Sequence, residues 1–173
     1  MFELALAAEW KVRGLDVRLG DPDITLTLRG VPFLLECKRP FDRTGIRSNV
    51  RGAARQLKDK LDRPAHQGSM GIIAISVTRV FNRGDRFFFV PTEEWGQEKL
   101  NNLLAELMQE SSRHLEKASL HQRIIAVIFH VSTPAFIEDV GLISRMTYFT
   151  LVPTATEGPA LTLFEEEVMS RYI

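Results

Sequence analysis

The chain has 173 residues, and its 22 lysines and arginines balance 22 aspartates and glutamates, so its formal charge is zero. At 45% hydrophobic and 25% charged residues, it has the composition of one globular domain spanning residues 1–173, not of a disordered or fibrous chain. Net neutrality by itself argues against nucleic acid as a partner, and a single cysteine, Cys37, excludes an intrachain disulfide.

Residues 2–13 mix Phe2, Leu4, Leu6 and Val12 with alanines and two glutamates, which predicts a helix stopped by Gly14. Leu15–Leu19 and Asp23–Leu28 alternate apolar and polar residues, as half-buried strands do, with a turn at Asp21-Pro22 between them. Arg29-Gly30 reads as a two-residue hairpin turn, although arginine is a poor first residue for the favoured primed types. Val31–Lys38 is the returning strand. Phe41–Asn49 is polar and loop-like, and Ser48 or Asn49 caps a helix over Val50–Leu61 with an apolar stripe of Val50, Ala53, Ala54, Leu57 and Leu61.

Beyond Pro64 and Gly68, Gly71–Arg79 reads as a buried strand and Phe87–Val90 as another. Thr92 is the predicted N-cap of a long helix over most of Glu93–Ala118, with Glu93 and Glu94 in its first turn. Ile124–Val131 and Met146–Val152 are strands, and the tail from Leu161 suits either strand or helix. An opening hairpin followed by interleaved strands and helices implies an α/β fold, a mixed central sheet flanked by helices. Leu100, Leu103, Leu104, Leu107 and Met108 form an apolar cluster suited to the core, or alternatively to a homodimer face. Core packing is also the expected use of Trp95, Phe136 and Tyr148.

The longest apolar runs, Gly71–Val77 and Ile124–Val131, are less than half the length of a bilayer-spanning helix, so no membrane partner is expected. A lone thiol without a signal-peptide pattern suggests the cytoplasm. Zinc is not expected, because His66, His114, His121, His130 and Cys37 show no ligand-like clustering. His114 and His121 read as exposed residues of a polar stretch.

The chemistry lies in the hairpin. With a two-residue turn, Leu28 opposes Val31, Leu26 opposes Phe33 and Asp23 opposes Glu36, and opposed residues share a face with Cβ atoms about 5 Å apart. Period two adds Lys38 to the face of Glu36 and sends Cys37 to the other face, toward the core. Two carboxylates about 5 Å apart repel by about 3 kcal/mol at an effective dielectric near 20. A divalent cation reverses that sign, since Mg²⁺ takes one or two carboxylates together with phosphate and water. Lys38 beside it would orient or deprotonate an attacking water. The structural alternative is a surface hairpin in which Lys38 neutralises one acid, an ion pair worth under about 1 kcal/mol.

Pro22-Asp23 with Glu36-Cys37-Lys38, in a hairpin after a short helix, resembles the PD-(D/E)XK nuclease superfamily with its restriction-endonuclease-like fold. The resemblance covers about residues 1–80, a nuclease-like core in the order helix, three strands, helix, strand, and leaves 81–173 as an elaboration of the same domain. It implies that Asp23 and Glu36 bind Mg²⁺, or Mn²⁺ in its place, with the Cys37 backbone carbonyl as a further ligand. It implies that Lys38 serves the water and that a first-helix glutamate joins the site: Glu3 by position, with Glu9 as the rival. Gln56 corresponds to a polar residue that many members carry on the helix after the lysine. Outside the resemblance, Glu3 suits a first helical turn as a favourable charge, and Gln56 suits a helix surface.

The charge is uneven along the chain. Residues 38–63 hold nine basic and three acidic residues, a net of +6, against −2 in residues 1–37 and −4 in residues 64–173. Arg39, Arg43, Arg47, Arg51 and Arg55 recur every four residues, and over the helical part Arg51 and Arg55 share a face. A basic strip beside a metal site suits a phosphodiester, because phosphate contacts dominate nucleic-acid affinity. A solvated helix face is the alternative use of such a run. The sequence therefore predicts a metal-dependent nuclease acting on DNA. The contrasting expectation is a non-catalytic nucleic-acid-binding or assembly module with the same fold.

Overall fold

The computed structural model describes residues 1–84, 86–115, 120–154 and 158–172, the side chains of 111–115 and 172 apart. The first helix, α1 (Phe2–Val12), ends at Gly14, whose φ of +83° is the left-handed conformation that stops a helix. A meander follows: β1 (Asp16–Leu19), β2 (Ile24–Leu28) and β3 (Val31–Lys38), all antiparallel. Arg29 and Gly30 have φ of 45° and 83°, the two positive values that a type I′ turn requires. The turn fixes the expected register: Leu28 opposes Val31, Leu26 opposes Phe33 and Ile24 opposes Leu35.

The second helix, α2 (Arg43–Leu61), starts seven residues earlier than the sequence pattern suggests. Its N-cap is Asp42, which accepts the Gly45 N–H at 2.9 Å, not Ser48 or Asn49. Those two lie inside the helix, and both donate to the Gly45 carbonyl. Ile46 extends the buried stripe of Val50, Ala53, Leu57 and Leu61 by one turn, which stabilises the polar first turns.

Next come β4 (Met70–Ser76), the single turn α3 (Thr78–Phe81), β5 (Phe88–Val90) and α4 (Glu93–Leu115). Strand β4 stops at Ser76, short of the expected Arg79, because the chain turns into α3 there. Thr92 caps α4 as expected, accepting the Trp95 N–H at 3.2 Å. Residues 116–118, where the predicted helix continues, lie outside the described residues. The long strands β6 (Ile124–Ile137) and β7 (Leu142–Pro153) form an antiparallel pair, and α5 (Pro159–Glu167) shows that the tail is helical.

The seven strands form one mixed sheet in the order β1-β2-β3-β4-β6-β5, with β7 also paired to β6. Strands β3, β4 and β6 run parallel. Helices cover both faces. Phe2, Leu6 and Trp10 of α1 and Leu161 and Phe164 of α5 pack on Ile24, Leu26, Phe33 and Leu35. On the other face, Leu57 of α2 and Leu100, Leu104 and Leu107 of α4 pack on Leu34, Ile73 and Val127. The leucine cluster of α4 is therefore core. Trp95 departs from expectation: it is 42% exposed, with Lys99 lying 5.2 Å from its ring centroid. Among the described residues, no helix is long and apolar enough to cross a membrane.

Candidate functional site

Strand β3 outruns β2 at its carboxyl end: the ladder closes at Ile24–Leu35, yet β3 continues to Lys38. The backbone donor of Cys37 consequently has no partner strand on the hairpin side, and a side chain supplies the acceptor. Asp23 Oδ2 takes the Cys37 N–H at 2.8 Å. This bond ties the first predicted acid to the strand that carries the second. The Cys37 side chain packs into the core beneath α1, as its parity requires. Its thiol is pushed far above the usual range, by burial first and then by the charges of Asp23, Glu3 and Glu36, with Lys38 opposing. That thiol thus lies within electrostatic reach of all three predicted acids.

Glu36 is only 2% exposed, and both of its oxygens are held by ammonium groups. Lys38 Nζ donates to Oε2 at 3.4 Å, whereas Lys60 Nζ donates to Oε1. Lys60 also contacts Asp21 Oδ1, which makes it a bridge between two carboxylates, and Arg63 lies 3.5 Å from the other oxygen of Asp21. Burial works against the charge on Lys60, but its bonds to Asp21 and Glu36 outweigh this and hold its pKa above the usual lysine range. Asp21 is depressed in turn, mainly by its hydrogen bond from Lys60.

The sequence pattern alone did not point to Lys60 and Asp21. A signal for the first was present, because Lys60 lies four residues after Gln56 and shares its helix face. Gln56 itself is exposed, and it lines an open depression of about 460 Å³ together with Lys38, Asn49, Gly52 and Arg55.

Glu36, Lys38 and Gln56 are therefore grouped where β3 meets α2, and Asp23 is engaged separately on the β3 backbone at Cys37. Glu3 and Arg39 are not part of that group. Helix α1, which carries Glu3, covers the opposite face of the sheet, and Glu3 Oε1 accepts from the Met1 amine at 2.6 Å. That bond is the main cause of its lowered pKa. Its rival Glu9 pairs with Arg13 at 3.6 Å. Arg39 follows Lys38 and emerges on the α1 side, away from the arginines of α2.

Arg43, Arg47, Arg51 and Arg55 are all exposed on α2. A spacing of four on a helix of 3.6 residues per turn rotates each by about 40° from the last, so the row winds around α2. Arg43 is held by Glu110 at 2.9 Å. Among the described residues, Arg47, Arg51 and Arg55 form no ion pair, and Arg55 borders the depression at Lys38.

Among the described residues, no three or more histidine, cysteine, aspartate or glutamate side chains converge in a metal-holding group. His121 is not exposed as expected but half-buried against Asp62, at 3.2 Å, and the His114 side chain lies outside the described residues. No family model, no curated protein and no solved structure matches the chain.

Proposed function

We propose that the chain is a metal-dependent phosphodiester hydrolase, a nuclease acting on DNA, with a restriction-endonuclease-like core in residues 1–80. The observation that carries this is the grouping at the end of β3: Asp23 on the Cys37 N–H, and buried Glu36 paired with Lys38. The donors fit Mg²⁺ or Mn²⁺ in kind. Asp23, Glu36 and the Cys37 carbonyl are all oxygen ligands, and Mg²⁺ commonly takes one or two carboxylates with water and phosphate. Two lysines compensate Glu36, so binding an ion there means exchanging one ammonium contact for the metal.

An ion held by Asp23, Glu36 and the Cys37 carbonyl would supply positive charge to offset that of a phosphodiester under attack. Lys38, 23% exposed and fixed by Glu36, orients the attacking water from the side of the depression. Gln56 borders the same space and offers its amide to water or phosphate. Arg47, Arg51 and Arg55 hold the backbone along α2.

One observation favours the second reading, a non-catalytic nucleic-acid-binding or assembly module: Lys60 already neutralises Glu36. Plasmid nicking with Mg²⁺ or Mn²⁺ separates the two. The enzyme nicks supercoiled DNA, and Asp23→Ala and Lys38→Ala each reduce the rate at least about a hundredfold. Equal behaviour of wild type and both variants on plasmid, single-stranded and branched DNA refutes the enzyme.

A further inference from the structure

On the face of the sheet opposite Glu36, a pocket of about 550 Å³ opens between the start of α1 and the carboxyl ends of β3 and β4. Ligands of open α/β sheets bind beyond the carboxyl ends of the strands. Two arginines line this pocket, Arg39 and Arg145. Among the described residues, neither forms an ion pair with a carboxylate. Glu9, the carboxylate on the wall, pairs with Arg13. Burial depresses the pKa of Arg39, and the nearby charge of Arg79 depresses it further, with Glu3 acting more weakly in the other direction. The mouth thus carries an excess of positive charge.

Hydroxyl groups line the floor. Thr78 Oγ1 accepts the Ser132 N–H at 3.0 Å and the Ser76 hydroxyl at 3.3 Å, and the Thr147 hydroxyl donates to Ser132 Oγ at 3.0 Å. These groups retain capacity for a ligand, since each hydroxyl offers one donor and two lone pairs. Beside them His130 is 6% exposed, its ring packed between Phe2 (5.1 Å) and Phe149 (4.6 Å). Its Nδ1 is buried and has no hydrogen-bond partner among the described residues. A buried polar atom left unpaired calls for an explanation, and a ligand or an ordered water supplies one.

We propose that this pocket binds a phosphate monoester carried on a body of about nucleoside size. A phosphate dianion matches Arg39 and Arg145, with the charge of Arg79 acting on Arg39, where a carboxylate would leave positive charge over. The volume exceeds what phosphate alone fills, and Phe2, Ala5 and Ala8 give the remainder an apolar wall. This inference is independent of the nuclease proposal, because Glu36 and Lys38 face the other side of the sheet.

Isothermal titration of the full chain, at fixed ionic strength, with inorganic phosphate, deoxyadenosine 5′-monophosphate and deoxyadenosine tests it. The monophosphate is expected to bind more tightly than inorganic phosphate, with no binding of the nucleoside. Arg39→Gln and Arg145→Gln, both at exposed positions, each weaken binding by about tenfold or more. Arg18→Gln, on exposed β1 surface, leaves it unchanged. The His130 ring nitrogens shift in ¹⁵N spectra as the monophosphate is added. A 5′-phosphorylated dinucleotide set against its 5′-hydroxyl counterpart tells a strand end from a free mononucleotide, and binding of either phosphate form supports the site. No binding of the phosphate compounds at about 10 mM overturns the proposal. So does equal binding of deoxyadenosine, or binding unchanged in both arginine variants.

Discussion

Lys60 reaches across from α2 to the buried Oε1 of Glu36, so the carboxylate at the centre of the candidate site is held by two ammonium groups and not one. A carboxylate 2% exposed is costly to leave under-compensated. Lys60→Met is expected to lower stability by about 2 kcal/mol in EDTA, since Lys38 still compensates part of the charge. Mg²⁺ should restore more stability to the variant than it adds to wild type, and Mn²⁺ should bind the variant more tightly. Urea denaturation with and without the ion checks this. If the ion stabilises neither protein, Glu36 is not a metal ligand; if it stabilises both equally, Lys60 does not compete with it.

The bond from the Cys37 N–H to Asp23 Oδ2 serves structure and site together, and two substitutions divide those roles. Asp23→Asn keeps an oxygen acceptor and removes the charge, whereas Asp23→Ala leaves a backbone donor unpaired. The alanine variant should lose about 1–2 kcal/mol of stability and the asparagine variant less than half of that. Both should lose nicking activity alike. Activity that survives in Asp23→Asn would assign Asp23 a role in holding the strand only.

The hairpin turn sets the register on which this site depends, and Arg29 holds a φ of 45° to make it. A left-handed conformation costs a non-glycine residue about 1 kcal/mol, and asparagine tolerates it best. Arg29 offsets part of this through its ion pair with Glu167 at 2.6 Å. Arg29→Asn should therefore be neutral to about 1 kcal/mol stabilising, with activity unchanged, as thermal unfolding and the nicking assay will show.

The ladder ends at Ile24–Leu35 and leaves Asp23 outside it, but the hairpin itself was legible in the sequence, because a two-residue turn and strict alternation leave only one register and put Glu36 and Lys38 on one face. The start of α2 was not. Arg43–Asn49 contains glycine and short polar residues that read as loop, and its helix depends on the Asp42 cap and on burial of Ile46, a tertiary contact. Lys60 was hidden for a related reason. A lysine in a basic run reads as solvated until the helix is docked on β3, after which its ammonium lies on buried Glu36. The arginines suggested one strip, but β-strand parity sends Arg39 to the opposite face from Lys38. His130 lay inside an apolar run whose strand pattern carries no sign of Arg39, just after β3, or of Arg145 on β7, whose charges reach it.

If α2 tracks a DNA backbone, its arginines act as phosphate contacts and salt should reveal them. Replacing Arg47, Arg51 and Arg55 together by Gln should reduce the slope of log K against log salt by about 2.7 for duplex DNA, with no change in fold. Arg43→Gln should change it less, because Glu110 already holds that side chain. Fluorescence anisotropy across a salt series measures the slopes. An unaltered slope in the triple variant would mean that the row is a solvated helix face.

His130 gives the fold an acid sensitivity of its own. Burial first, and then the charges of Arg145 and Arg39, hold its pKa down to about 4, against 6.5 for a free side chain. The folded protein thus keeps the ring neutral while the unfolded chain binds a proton as soon as pH falls below 6.5, so stability is complete above that value and declines on acidification toward 4. Between pH 7 and pH 5 this amounts to about 2 kcal/mol. His130→Phe, which keeps an aromatic ring between Phe2 and Phe149, removes the titration and with it this part of the slope. Urea denaturation of both proteins at pH 7 and pH 5 compares them, and the difference between them isolates His130 from the carboxylates that titrate in both. A variant that loses as much stability as wild type on acidification would show that His130 is protonated in the fold, with its ring open to water and not sealed against the sheet.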